Sequence, residues 1–289
     1  MSFLKFIGSN CLYLAWFGFY FCIAWAVLGG DLNGFMLAGL IYGVSITVAL
    51  SPVGEVILRA LENCREPATE KERNYLINLF EEVYEDAKEL NPKMSDNIKI
   101  YIMDAMYVNA FAMGRNTVAV TRGAMESFNR DGLKGIIAHE LGHITHGHTK
   151  ALLLTVIGNF FFTVMVWVLK LILAIAQFLS NILAQFNYIG IVFAFVTFVI
   201  RIFVNVFVFA FINLGQIALA SNSRTNETQA DTFAYEIGYG RELISSLYLL
   251  QRISMNVKPS LADKMKASHP HIAYRIKYLE NLENAELEA

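Results

Sequence analysis

Ala151–Leu169 reads ALLLTVIGNFFFTVMVWVL and Ile202–Ala220 reads IFVNVFVFAFINLGQIALA, two uncharged runs of 19 residues each. A bilayer core takes about 20 residues of helix, so each run is long enough to span. From 151 to 220 the only charges are Lys170 and Arg201. Two readings fit. In one, two spans of matching length place both cations at the far interface, and Leu171–Ile200 is an apolar, Asn/Gln-dotted connection at that surface. In the other, two longer tilted helices bury the charges in the bundle. With no acidic residue in these spans, the cations read as structural rather than as an ion pathway.

Upstream, Cys11–Leu28 and Phe35–Leu50 are also uncharged, separated by Gly29-Gly30-Asp31-Leu32-Asn33-Gly34. That linker has turn composition, so the pair reads as a first transmembrane hairpin. A cleaved signal peptide fits less well: the run is long, no A-x-A-like site follows it, and a second apolar run does.

The composition agrees with a membrane protein. The chain of 289 residues is 55% hydrophobic and 17% charged, against about 25% charged in average soluble domains. Its mean hydropathy is +0.44. A net charge of −2 gives no basic excess for a nucleic-acid partner, and 22 Phe with 13 Tyr exclude bulk disorder. Arg59, Arg65, Lys134, Lys150 and Arg224 flank the hairpins, while the Gly29–Gly34 turn has no Lys or Arg. Positive flanks mark the cytoplasmic side, so the polar parts are expected there, with Lys170 and Arg201 running against the rule. Three cysteines, two of them within a span, agree with a reducing compartment.

The expected organisation is therefore a transmembrane hairpin over 1–53, a first catalytic part over 54–150, a second hairpin over 151–220 and a second catalytic part over 221–289. Helical periodicity runs from about Thr69 to Leu90. Strand-like alternation follows at Ile98–Ile102, Val108–Ala112 and Val118–Val120. The acidic tail, with Glu280, Glu283, Glu286 and Glu288, is expected to be a frayed, solvated end.

His139-Glu140-Leu141-Gly142-His143 is an H-E-x-x-H in a helical pattern, with Leu133, Ile136, Ile137, Leu141 and Ile144 as its apolar stripe. Four residues turn a helix through 400°, so the two imidazoles stand within about 40° of each other and one turn apart. They converge on one ion, and Glu140 beside them is placed to take a proton from water activated there. Four of the chain's six histidines fall within ten residues, which argues against a chance match.

The third ligand is less direct. The extended H-E-x-x-H-x-x-G-x-x-H pattern fails, because His146 and Thr149 stand where it needs Gly and His. His148 projects about 140° from His143 on a continuous helix, so His146 and His148 read as helix-end residues favourable to the dipole. After the second hairpin, Ser223-Arg224-Thr225-Asn226-Glu227-Thr228-Gln229-Ala230-Asp231 opens a helix with Glu227 and Asp231 on one face. Either Glu227 completes a His2Glu set with Asp231 orienting an imidazole, or the two are surface acids. Parity favours the site: Glu227 meets His139 only if the intervening chain crosses the membrane an even number of times.

Taken together, the hairpin, H-E-L-G-H, second hairpin and S-R-x-x-E-x-x-A-D resemble the HtpX-type membrane zinc metallopeptidases, gluzincins related to the CAAX prenyl endoproteases. Asn109-Ala110-Phe111-Ala112-Met113-Gly114 resembles that family's N-A-F-A-x-G segment, and Ser268-His269-Pro270 with Arg275-Ile276 resembles its H-P-x-x-x-x-R-I element. The resemblance implies a mainly α membrane protein: two transmembrane hairpins plus an α+β catalytic domain with a small sheet. It implies one Zn2+ held by His139, His143 and Glu227, Asp231 behind the ligands, and Glu140, His269 and Arg275 in catalysis. Asn109, Ala110, Phe111 and Ala112 would form an edge strand receiving an extended peptide. The implied setting is quality control of membrane proteins at the cytoplasmic face of a bacterial inner membrane, with protein substrates, the lipid bilayer and no nucleic acid as partners. A specialised processing protease and a zinc-stabilised membrane scaffold are the rival functions. The apolar Leu171–Ile200 connection departs from the family's polar loop.

Overall fold

A computed structural model describes residue 15 and residues 17–156, 160–220, 223–255 and 272–288. The chain divides into two compact units, Met1–Ser45 with Gly158–Ser221, and Ile46–Ile157 with Asn222–Ala289. Both are mainly helical, and a four-stranded mixed sheet lies in the second.

The first unit holds α1 (Phe17–Val27), the larger part of α2 (Leu32–Leu50), α9 (Phe160–Leu183) and α10 (Tyr188–Ala220). Three stretches are long and apolar enough to cross a membrane: Leu32–Leu50, Thr163–Leu183 and Tyr188–Asn213. The described part of the first apolar run is shorter, an 11-residue helix. Tyr20, Ala24, Ala38, Tyr42 and Phe211 form the buried cluster of this unit, and Tyr20 meets Phe211 edge-on with ring centroids 4.3 Å apart.

Leu171–Ile200 is a continuation of both helices, turning at Ala184–Asn187, so the longer-helix reading describes the backbone. Its companion expectation, charges buried in the bundle, is corrected: Lys170 is exposed and Arg201 half-buried. Gln177, Ser180 and Thr197 are bonded inside the hairpin, Gln177 Nε2 donating to the Ala194 carbonyl at 3.1 Å. Gln177, Ser180 and Thr197 thus tie the two helices together, while Asn181, Gln185 and Asn187 of the same connection are exposed.

The second unit is ordered around α7 (Arg130–His146). Asn129 caps its start, accepting from Gly132 N at 2.8 Å, and Gly147 ends it in the left-handed region at φ 72°. The helix is buried on nearly all sides, not along a stripe: Gly132, Leu133 and Gly135–His143 are all buried. It is enclosed chiefly by α5 (Asn78–Leu90), α11 (Ser223–Glu236), α12 (Gly240–Met255) and strand β3 (Ala110–Met113). Two of its glycines permit this. A Cβ at Gly135 would lie 2.4 Å from Leu243 N, and one at Gly142 2.9 Å from Ala230 Cα.

Alternation at Ile98–Ile102, Val108–Ala112 and Val118–Val120 becomes β2 (Lys99–Met103), β3 and β4 (Thr117–Thr121), with β1 (Cys64–Arg65) added. The sheet order is β1-β2-β4-β3, with β2 parallel and β3 antiparallel to β4. The helix expected from Thr69 begins with a capping box, Thr69 Oγ1 accepting from Glu72 N and Glu72 reaching back. It passes through α4 (Glu70–Glu72) and a π-helical turn, Arg73–Ile77, into α5.

Among the described residues, α3 (Pro52–Leu61), α6 (Arg122–Ser127), α8 (Thr149–Val156) and the 17-residue α13 (Ile272–Glu288) complete the unit. The acidic tail is not frayed. It forms the last turns of α13, where Leu279 is buried, Glu280 accepts from Tyr248 Oη at 2.6 Å, and Glu283 pairs with Arg241 at 2.6 Å.

Candidate metal centre

α7 presents His139 and His143 one turn apart, with their Nε2 atoms 3.1 Å from each other. α11 crosses α7 where Gly142 leaves room for Ala230, and this brings Glu227 over the same point. Glu227 Oε2 lies 3.5 Å from His139 Nε2, and Oε1 lies 3.4 Å from His143 Nε2. All three side chains are buried, and among the described residues they are the one group of His, Cys, Asp or Glu arranged to hold a metal.

Behind each imidazole stands a partner that fixes its tautomer. Asp231 Oδ1 is 2.8 Å from His139 Nδ1, so Nδ1–H donates to the carboxylate and the Nε2 lone pair faces inward. On the other side a relay starts at Gln229. Its Oε1 lies 2.9 Å from His148 Nε2, and His148 Nδ1 lies 3.0 Å from His143 Nδ1. With His148 donating to Gln229 and accepting from His143, the His143 Nε2 lone pair also faces inward. Burial holds the His148 pKa below its ordinary value, which suits the neutral ring this relay needs.

Arg275 of α13 is buried beneath the carboxylates. Its Nε and Nη2 grip Asp231 at 2.8 and 2.6 Å, and Nη1 lies 3.1 Å from Glu227 Oε2. Burial disfavours its charge, but Asp231 first and then Glu227 and Glu140 outweigh that cost and raise its pKa. Burial and the Arg275 charge likewise oppose protonation of His139, yet Asp231 and Glu227 lift its pKa from 6.5 to about 9. Asp231 is held below the usual carboxylate range: burial opposes this, and His139 and Arg275 overcome it.

The donor set fits a metal ion. Two imidazole nitrogens and a carboxylate directed at one point call for a cation between them, a proton on His139 until a metal ion displaces it. Ligand bonds of about 2.0–2.1 Å in a tetrahedron require donor separations of about 3.3 Å, close to the 3.1, 3.4 and 3.5 Å found.

The structure thus brings His139, Glu140, His143, Glu227, Asp231 and Arg275 together in one buried cluster. Asn109 precedes β3, which is the edge strand of the sheet among the described residues and packs on α7. His269 lies outside the described residues. His148 and Gln229 were not expected at the site. The projection of His148 away from His143 assumes a continuous helix, but Gly147 reverses the chain, and His148 N then donates to the His143 carbonyl at 3.0 Å. Gly147 directly before His148 was the signal for that reversal. His146 instead approaches the Gly142 carbonyl at 2.9 Å and stacks on His148.

Two histidines and a glutamate from crossing helices, with a glutamate following the first histidine, define a metallopeptidase-type centre. Residues 70–283 match the model of peptidase family M48, and the chain belongs to that family.

The chain is similar to proteases described as HtpX homologues. It is 27% identical to that of Methylacidiphilum infernorum over 281 residues, 88% of each chain. It is 36% identical to that of Dictyoglomus turgidum over 143 residues, 48% of this chain and 44% of the other. With that of Helicobacter acinonychis it shares 40% identity over 81 residues, 27% of this chain and 25% of the other. The chain thus aligns with less than half the length of two of these three relatives. The crystal structure of S. mikatae Ste24p is similar at a TM-score of 0.46 and 19% identity, covering 94% of this chain and 62% of that one.

Proposed function

We propose that this protein is a membrane-embedded zinc endopeptidase that cleaves misfolded or damaged membrane proteins, and some soluble ones, at the cytoplasmic face. The observation that carries this reading is the convergence of His139, His143 and Glu227 on one buried point, with Glu140 beside it on α7.

His139, His143 and Glu227 would hold the zinc ion. When bound, zinc supplies Lewis acidity, polarising a carbonyl and bringing the pKa of water towards neutrality. The remaining steps belong to the chain. Asp231 and the His148–Gln229 relay keep both imidazole lone pairs directed inward. Arg275 has its Nε and both Nη atoms engaged on Asp231 and Glu227, so its part is to position those carboxylates rather than to meet the substrate's oxyanion. Glu140 accepts a proton from the attacking water at its carboxylate and returns it to the leaving amine nitrogen.

The substrate enters as an extra strand on β3. The Asn109 carbonyl accepts from Thr121 N at 3.0 Å, so ladder alternation turns Phe111 and Met113 towards β4 and leaves the backbone groups of Ala110 and Ala112 facing the open edge. Backbone pairing there gives affinity without demanding a sequence, as a quality-control enzyme requires.

The test is cleavage of casein and of a misfolded membrane protein by detergent-purified enzyme, with zinc and with chelator. Glu140→Gln is expected to keep its metal and lose cleavage. Full turnover by that variant, with metal content confirmed, overturns the mechanism.

A further inference from the structure

Lys170 on α9 and Arg201 on α10 are the only charged residues between Lys150 and Arg224. They occupy matching registers of one hairpin, thirteen residues before Leu183 and thirteen after Tyr188. Their side chains, with Asn205 one turn beyond Arg201, line a single cleft of about 70 Å³ completed by Leu173 and Val204. Two like charges facing one cleft on an otherwise apolar hairpin repel each other and need a counter-ion.

This part of the chain provides none. No Asp or Glu occurs from Leu141 to Asn226. In the first unit the sole acid is Asp31, whose Oδ1 accepts from Gly34 N at 2.7 Å. Among the described residues neither cation has an acidic partner.

The pair also stands at a definite level. Phe211 of α10 and Tyr42 of α2 share one packed cluster, and both helices lead into the second unit at their C-terminal ends. Arg201 lies ten residues before Phe211, and Leu32 ten before Tyr42. At 1.5 Å per residue each is about 15 Å from the cluster, which puts Arg201 near the level of the polar Gly29–Asp31 turn, with the Leu171–Ile200 part of the hairpin extending beyond it. Trp167, one turn from Lys170, is 68% exposed, and indole rings favour the headgroup boundary.

We propose that Lys170, Arg201 and Asn205 bind the phosphate of an anionic phospholipid. An ammonium, a guanidinium and a carboxamide N–H around one cleft match the two free oxygens of a phosphodiester, and basic clefts between transmembrane helices suit lipid headgroups.

Native mass spectrometry of the full-length protein in detergent, with phosphatidylglycerol or phosphatidylethanolamine added, tests this. Phosphatidylglycerol is expected to remain bound and phosphatidylethanolamine to be lost. Each cation contributes about five-fold to affinity, so Lys170→Gln with Arg201→Gln is expected to weaken phosphatidylglycerol binding about 25-fold. The charge-preserving pair Lys170→Arg with Arg201→Lys is expected to retain it, and excess inorganic phosphate is expected not to displace it. Melting in lipid-free detergent is the folding control; should the double variant unfold, each single Gln variant is expected to bind about five-fold more weakly. Undiminished phosphatidylglycerol binding by the Gln variants overturns the proposal. Equal binding of phosphatidylethanolamine does so too, and displacement by inorganic phosphate overturns a lipid as the source of the anion.

Discussion

His148 Nδ1 lies 3.0 Å from His143 Nδ1 across the left-handed turn at Gly147. The end of the helix that carries the first two metal-facing imidazoles thus folds back to support one of them. Supporting partners of this kind are typically worth 10–100-fold in metal affinity. His148→Ala is expected to weaken zinc binding by about that factor, measured by competition with a chromophoric chelator. An unchanged affinity would remove His148 from the centre.

Gly142 is where α7 and α11 touch, and a side chain there meets the Ala230 backbone. Gly142→Val is expected to move α11, and Glu227 with it, away from the histidines. Overpacking of this kind costs about 1–3 kcal/mol, so both the thermal midpoint and zinc affinity should fall. A variant with normal midpoint and affinity would show that the crossing is not held by Gly142.

Arg275 is 5% exposed and neutralises two buried carboxylates. Removing one partner of a buried ion pair typically costs about 3–5 kcal/mol. Arg275→Ala is expected to lose stability of that order in denaturant unfolding, with Arg275→Lys falling between because it lacks the planar fork. A loss below about 1 kcal/mol would mean that water replaces the guanidinium without penalty.

Away from the centre, Arg65 joins Glu72 and Asp104, and Arg122 joins the same two acids. Hydrogen bonds from Arg65 first and Arg122 second hold the Asp104 pKa down to about 2, and Glu72 is likewise depressed, chiefly by Arg65. A carboxylate depressed in the folded state stabilises fully above its unfolded pKa of about 3.9 and loses that contribution as pH falls through the folded value. The melting temperature is therefore expected to fall between about pH 5 and pH 2. Arg65→Gln should flatten that slope, and an unchanged slope would assign the acid sensitivity elsewhere.

Much of this arrangement is legible in the residues themselves. H-E-L-G-H locates α7, the alternation of Ile98–Ile102 and Val118–Val120 locates two adjacent strands, and Thr69 with Glu72 marks a helix start. What escapes is set by tertiary context. Hydropathy cannot tell two spans with a connection from two longer helices, because Leu171–Ile200 is apolar in either case. Periodicity describes α7 as a striped helix, whereas glycines at 135 and 142 admit neighbours on its other faces. The two-residue β1 carries no alternation to read. His148 escapes because one left-handed residue overturns a helical projection. The choice between Glu227 as ligand and Glu227 as surface acid needs the α7–α11 crossing, 84 residues along the chain from His143.

The most direct measurement is zinc content and peptidase activity of the wild type beside Glu227→Ala, both purified in detergent and checked for folding. The account predicts one zinc per wild-type chain, at least 100-fold weaker zinc binding in Glu227→Ala, and loss of casein cleavage with it. A folded Glu227→Ala that holds one zinc with wild-type affinity and cleaves casein would contradict it.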